Sequence, residues 1–312
     1  MARKIIIDTD PGQDDAVGIL LALACPDQID LLGITTVAGN VPLELTTRNA
    51  RTTCELAGRP DIPLHAGCDR PLQRPLRTAE YIHGGTGLDG HDLPAPTMPV
   101  QEAHAVDFLI DTLRREEPGT VTLCTMGMLT NIATAFTRAP DIVPRVAGIV
   151  AMGGAYFEVG NYTPAAEFNI YNDPEAAEIV LQAGRPVTLV PLDVTHKALA
   201  TPERLAALRA AGTRVCDVVA DWIGFFERHD MEKYGSPGGP LHDPLVIAWL
   251  LWPELFSGRE INVEIETGSE LTLGMTVADW WRVTDRPANA LFLGDLDADA
   301  FYARLTEKLA TL

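Results

Sequence analysis

Apolar, β-branched runs alternate along the chain with amphipathic stretches. Residues 4–7 read as a strand ahead of a helix at 16–24, 30–37 as a strand ahead of 43–56, and 121–125 as a strand ahead of 129–137. The rhythm continues with a strand at 146–152, a helix at 174–182, a strand at 186–192 and helices at 202–210, 214–233 and 243–251. Such alternation predicts an α/β fold: a mostly parallel, doubly wound, Rossmann-like open sheet with helices on both faces, because parallel neighbours need a crossover and the crossover helices cover the sheet. The last quarter departs from this rhythm. Segments 260–266, 271–277 and 289–293 read as extra short strands near the C-terminus, with a hairpin over Gly268–Ser269, before a closing helix near 297–309. No repeat or low-complexity tract divides the chain, so 1–312 is expected to form one domain. The Pro/Gly-rich stretches at 69–100 and 235–240 read as long loops, which in compact domains often carry function.

Composition narrows the classes of partner. The 312 residues carry 43 acidic and 24 basic side chains, a formal net charge of −19. That field repels polyanions, so nucleic acid is excluded as a partner, whereas a small nucleoside without phosphate feels little repulsion. The longest apolar run is about ten residues, short of the roughly 18 needed to span a membrane, and the N-terminal apolar stretch is too short for an export signal. The five cysteines are odd in number and never in C-x-x-C spacing, which fits reduced thiols and a cytoplasmic location.

The strongest local signal is Asp8-Thr9-Asp10-Pro11-Gly12-Gln13-Asp14-Asp15, between an Ile-rich strand and an apolar helix. Carboxylates packed at the end of a central strand repel one another and raise each other's pKa unless a cation neutralises them. Ligands that are all oxygen favour a hard divalent ion, Ca²⁺ or Mg²⁺. A solvated acidic turn capping the next helix is the alternative. An EF-hand fits poorly, since position 12 from Asp8 is Ile19 rather than Glu and a strand precedes the loop. A dehalogenase-type Asp-x-Asp motif also fits poorly, because Gly12 stands where Thr or Val is wanted.

With its flanking residues, this run resembles the signature of the inosine-uridine-preferring nucleoside hydrolases, Ca²⁺-dependent enzymes that split the N-glycosidic bond of ribonucleosides. Further stretches agree in order: Ile34-Thr35-Thr36-Val37-Ala38-Gly39-Asn40, Ile82-His83-Gly84-Gly85, Leu129-Thr130-Asn131, Met152-Gly153-Gly154, Ala166-Glu167-Phe168-Asn169-Ile170, Leu192-Asp193-Val194-Thr195-His196 and Leu241-His242-Asp243-Pro244. Asp10, Asn40, Met126 and Met152 each follow a predicted strand, at the rim where open parallel sheets bind ligands.

The resemblance implies that Asp10, Asp15, Asp243 and the Met126 carbonyl bind Ca²⁺, with Asp14 as general base. Met126 stands where the family commonly has Thr, a change that leaves a carbonyl ligand intact. Asn161 and Glu167 are expected on the ribose 5′-hydroxyl, Asn169 on the 2′/3′ side, Asn40 near metal and ribose, and Phe168 along the wall. His83 matches a histidine in a loop that closes over substrate. Asp193 and His196 are expected to support the fold, and His65, His91 and His104 carry no functional expectation. Ribose departs through a state positive at C1′ and O4′ while the leaving base needs a proton, and His242 is the candidate acid. A helix at 214–233 sets Phe226, Asp230 and Tyr234 at i, i+4 and i+8, on one face over the base. Leu88-Asp89-Gly90 after the His83 loop resembles family members that act on pyrimidines, and that resemblance implies uridine and cytidine as substrates, with inosine secondary. Homotetramers or homodimers are the usual family assemblies. The competing reading is a non-catalytic Ca²⁺-dependent nucleoside- or sugar-binding protein. Asp14 and His242 speak against it, since binding alone needs no proton-transfer group.

Overall fold

Three consecutive isoleucines seed the central sheet. In β1 (Arg3–Thr9), Ile5 and Ile7 face one hydrophobic core and Ile6 the other, all fully buried. Side chains alternate across a strand, so a strand apolar on both faces belongs in the middle of a covered sheet. The computed structural model describes residues 2–312, with the side chains of Glu227, His229, Asp230, Lys233 and Tyr234 outside the description. β1 lies between β2 (Ile29–Thr36) and β4 (Val121–Thr125), parallel to both.

The eight-stranded sheet runs β3 (Leu64–Ala66), β2, β1, β4, β5 (Val146–Met152), β6 (Val187–Val190), then Ala290–Leu296 and Phe256–Ile261. Every pairing is parallel except the last, where the edge strand Phe256–Ile261 runs antiparallel to Ala290–Leu296. Helix α1 (Gln13–Leu23) is buried along its whole length, under α2 (Leu43–Leu56) and the helices Arg214–Tyr234 and Pro244–Leu251. Apolar residues on all its sides are what such a position requires. Helices Ala105–Arg115, Thr130–Arg138 and Pro174–Leu181 cover the opposite face.

The strand order reverses at β1. The chain leaves it toward β2 on one side, while β4, β5 and β6 build outward on the other. This is the topological switch point of an open α/β sheet, where a crevice opens beyond the strand C-termini. Asp8–Asp10 and Thr125–Met126 sit there.

Two expectations about the C-terminal quarter change. The segment 260–266 is two strands, not one, broken at the buried Asn262, whose amide nitrogen donates to Pro287 O. Val263–Ile265 then pairs with Thr276–Ala278 in a separate hairpin. Residues 271–274 are turn rather than strand, because Gly274 adopts φ +74° and the Ser269 hydroxyl accepts from Leu271 and Thr272 N–H. Helix Ala105–Arg115, the short β3 and a one-turn helix Glu80–His83 within the long 69–100 stretch are additions to the expected elements.

Asn131 fastens the switch point. Its buried amide donates to Asp8 Oδ1 at 2.8 Å and Thr36 O at 3.0 Å, and its oxygen accepts from Cys68 N at 2.9 Å. Asn131→Ala therefore strands buried partners and should cost about 2–3 kcal/mol in urea unfolding. Arg114→Ala breaks an ion pair with Asp141 that is half exposed on both sides and should stay within about 0.5 kcal/mol. Equal costs for the two would contradict the assignment.

Candidate active site

Asp14 and Asp15 occupy the first turn of α1, where the partial positive charge of a helix N-terminus favours carboxylates. Asp15 is held by three donors: the Thr9 hydroxyl, Gly12 N–H at 2.9 Å and Asn40 Nδ2 at 3.0 Å. Asp10 accepts from Asn40 N–H at 2.8 Å through Oδ2. Its carboxylate is clamped so closely that a Cβ on Gly39 would lie 1.9 Å from Oδ2, and one on Gly127 2.3 Å from Oδ1. Asp243 comes from the start of helix Pro244–Leu251, which packs on α1.

Asp14, Asp15 and Asp243 offer oxygens that all lie within 4.8 Å of one another. Asp10 Oδ1 and Asp14 Oδ1 are buried with no hydrogen-bond partner. Burial, followed by the charge of Asp15, pushes Asp10 well above the usual carboxylate range and Asp14 to about 7. Asp243 is raised well above it by burial and then by Asp14, while Asp15, with its three donors, is raised mainly by burial. Partnerless, mutually repelling oxygens in a buried crevice fit a hard divalent cation. The tight trio contains Asp14 in place of Asp10, which stands beside it with a free oxygen. Met126 lays its side chain over Gly18 of α1, and its carbonyl accepts from Asn169 Nδ2 at 2.9 Å.

Above the carboxylates opens a cleft lined by sixteen residues. Of the residues expected from the sequence, Asp14, Asn40, His83, Met126, Asn161, Glu167, Phe168, Asn169, Phe226, His242 and Asp243 line it. Asp10 and Asp15 lie behind this wall, and the side chains of Asp230 and Tyr234 fall outside the described residues. Ala79, Tyr81, Ile82, Met152 and Tyr162 complete the lining. Tyr162, whose ring meets Phe168 at 5.5 Å, carries no sequence signal beyond adjacency to Asn161.

Two polar residues are more tied down than their types imply. Asn40 spends its amide nitrogen on Asp15 and on Asp10 O, which orients Asp15 beside Asp10. Glu167 caps the turn Phe168–Asn172, its oxygens accepting from the N–H groups of Gly154, Asn169 and Ile170, and burial lifts it to about 7. Asn161 Oδ1 accepts from Phe168 N–H, which leaves its amide nitrogen for a ligand.

His242 Nδ1 lies 2.8 Å from the Thr195 hydroxyl. Burial, with His196 and His83 nearby, holds its ring well below the usual pKa and therefore neutral. His83 packs flush on Gly12: a Cβ there would fall 2.4 Å from Nδ1, so the signature glycine is required by close approach. The remaining polar residues serve the scaffold. Asp193 accepts from the N–H groups of Tyr156, Phe157 and Glu158, His65 stacks on Phe108, His91 pairs with Asp221 and His104 caps helix Ala105–Arg115.

A cluster of buried carboxylates lies beneath this cleft, and the chain belongs to the nucleoside hydrolases: the family model described as inosine-uridine preferring nucleoside hydrolase matches residues 5–303. Among its relatives is an uncharacterised protein of Schizosaccharomyces pombe, 55% identical over 309 residues and covering 99% of each chain. Another is the pyrimidine-specific ribonucleoside hydrolase RihA of Citrobacter koseri, 47% identical with the same coverage. A solved plant nucleoside hydrolase superposes with a TM-score of 0.93 at 31% identity over 100% of both chains. The protein is thus an enzyme that hydrolyses a small-molecule nucleoside. Among the described residues no helix is long and apolar enough to cross a membrane.

The raised carboxylate pKa values set the pH response of the metal-free protein. The unfolded chain releases protons near pH 3.8 that folded Asp14 keeps until about 7. Stability therefore falls as pH rises through that window and stays low above it. The Tm of chelated protein should drop between about pH 4 and about pH 7, and a divalent cation should recover more of it at the higher pH. A Tm that climbs across this window would reverse the sign.

Proposed function

We propose that the enzyme is a Ca²⁺-dependent, pyrimidine-preferring ribonucleoside hydrolase that converts uridine and cytidine to ribose and free base, with inosine as a secondary substrate. The observation that carries the metal is the pair of buried, partnerless oxygens on Asp10 and Asp14 within an all-oxygen donor set. Support for the base preference comes from the 47% identity to a pyrimidine-specific relative. The chain acts as one catalytic domain spanning 1–312, in the cytoplasm, as a homotetramer or homodimer.

In this reading Asp10, Asp15, Asp243 and the Met126 carbonyl hold the cation. When bound, Ca²⁺ balances the carboxylate charge and lowers the pKa of water beside it. Asp14, the member of the trio with an unengaged oxygen, takes the proton of the attacking water. Asn161, Glu167 and Asn169 hold the ribose hydroxyls, Asn40 keeps Asp10 and Asp15 in place, and Phe168 closes the wall. Phe226 and His83, with Asp230 and Tyr234, enclose the base. His242 serves the leaving group. Its neutral ring bears a single N–H, and in this reading the Thr195 hydroxyl donates to Nδ1 so that the N–H on Nε2 faces the leaving group.

Four outcomes follow. Chelation with EGTA should abolish ribose release and Ca²⁺ restore it, while Asp14→Ala should bind uridine yet lose roughly 10²–10⁴ in kcat; a loss confined to KM would make Asp14 a ribose ligand instead. Across a nucleoside panel, kcat/KM for uridine should exceed that for inosine, and the reverse order would refute the preference. His242→Ala should impair natural nucleosides at least tenfold more than p-nitrophenyl riboside, whose leaving group departs as a stable anion. Equal losses on both would reassign His242 to the support of ribose or of Asp243.

A further inference from the structure

We propose that Gln13 is a positioning residue that locks His83 in its Nδ1–H form, so that Nε2 meets the nucleoside as a hydrogen-bond acceptor. The inference rests on nucleoside hydrolysis at this cleft for its ligand, and it assigns a polarity to one wall that residue type alone leaves open.

Gln13 lies between Gly12 and Asp14 and is fully buried. Its amide nitrogen donates to His83 O at 2.9 Å and Asp89 O at 3.0 Å. Carbonyl oxygens only accept, so the NH₂ group must face them. Turned over, the amide would set its own oxygen against both. The orientation is therefore fixed, and Oε1 faces His83 Nδ1 at 2.7 Å. An amide oxygen also only accepts, so Nδ1 carries the hydrogen. Burial drives the His83 pKa down to about 3, which keeps the ring neutral with a single N–H. Nε2 is left with a bare lone pair.

The ring has no freedom to escape this arrangement. One side lies against Gly12, and Phe226 stacks on it with centroids 5.4 Å apart and planes at 28°. A half-turn of the imidazole would replace Nδ1 by carbon and lose the bond to Gln13. His83 lines the cleft, and among the described residues no hydrogen bond engages Nε2. The chemistry it recognises is a donor on the nucleoside, an O–H of ribose or an N–H of the base, and a substrate group bearing only a lone pair is disfavoured there. Through the same amide, the signature turn that places Asp14 and Asp15 is bonded to the segment 83–89, so cleft wall and carboxylates share one anchor.

The direct test is ¹⁵N NMR of the histidine rings in the Ca²⁺-loaded wild-type enzyme, with His83 assigned by its absence in His83→Ala. We expect a protonated Nδ1 and a pyridine-like Nε2; a hydrogen on Nε2 overturns the proposal. In Gln13→Met, which keeps the length and removes both hydrogen-bonding ends, the Nδ1–H form should no longer dominate and kcat/KM for uridine should fall about tenfold, mostly through KM. A variant with the wild-type tautomer and kinetics also overturns it. Adding uridine to Asp14→Ala should move the His83 Nε2 resonance upfield as it accepts a hydrogen; saturation, measured by calorimetry, without that movement refutes the acceptor role. Failure of the wild type to hydrolyse any nucleoside would strike the underlying function instead, and the tautomer is read without turnover, so the two failures are distinct.

Discussion

Five carboxylates, Asp8, Asp10, Asp14, Asp15 and Asp243, gathered in one buried crevice are the constraint that the rest of this structure answers. Each ionised group loses hydration on burial and meets the others at close range, a cost that partial charges and single hydrogen bonds only partly offset. The fold distributes what relief it has. Asp8 is met by Thr35 and Asn131, Asp15 by Thr9, Gly12 and Asn40, and Asp14 and Asp15 take the positive end of α1. Asp8, Asp10 and Asp14 each keep an oxygen with no protein partner. The architecture thus leaves positive charge to come from outside the chain, at the point where a substrate cleft opens.

The same constraint explains why the neighbouring backbone is so tightly specified. Gly39 and Gly127 leave room only for the Asp10 carboxylate, and Gly12 admits the His83 ring. A methyl group at any of these positions would displace a functional side chain rather than disturb the core. Asn40 and Glu167 extend the pattern: chemically suited to touching ribose, they also hold carboxylates and loop amides in place. Binding and support are therefore carried by the same groups, and the site is rigid because its own polar atoms are its scaffolding.

Much of this was legible in the sequence, for definite reasons. The β-branched run at Ile5–Ile7 and the repeating strand and helix periods gave the parallel sheet, and acidic spacing after β1 marked the crevice. Most of the legible site residues lay inside compact motifs, with Met126, Asn161 and Phe226 the expected lining residues outside them. What escaped depended on partners remote in sequence. Gln13 acts on His83 and Asp89 across the 69–100 stretch, and nothing local distinguishes it from any polar residue in a turn. Tyr162 enters the cleft because Phe168 and Tyr171 hold its ring. Helix Ala105–Arg115 lies just beyond a Pro/Gly-rich stretch that reads as loop, and the break at Asn262 follows from a side-chain bond to Pro287 that no strand propensity encodes.

The central claim is that a cation completes the charge of this crevice by displacing protons held there. It is tested most directly by isothermal calorimetry of Ca²⁺ into chelator-stripped enzyme, in buffers of differing ionisation enthalpy, at about pH 6 and about pH 8. The account predicts one strong site per chain, with roughly one or more protons released per ion at the lower pH and fewer at the higher. Absence of binding, or binding that releases no proton at either pH, would contradict it.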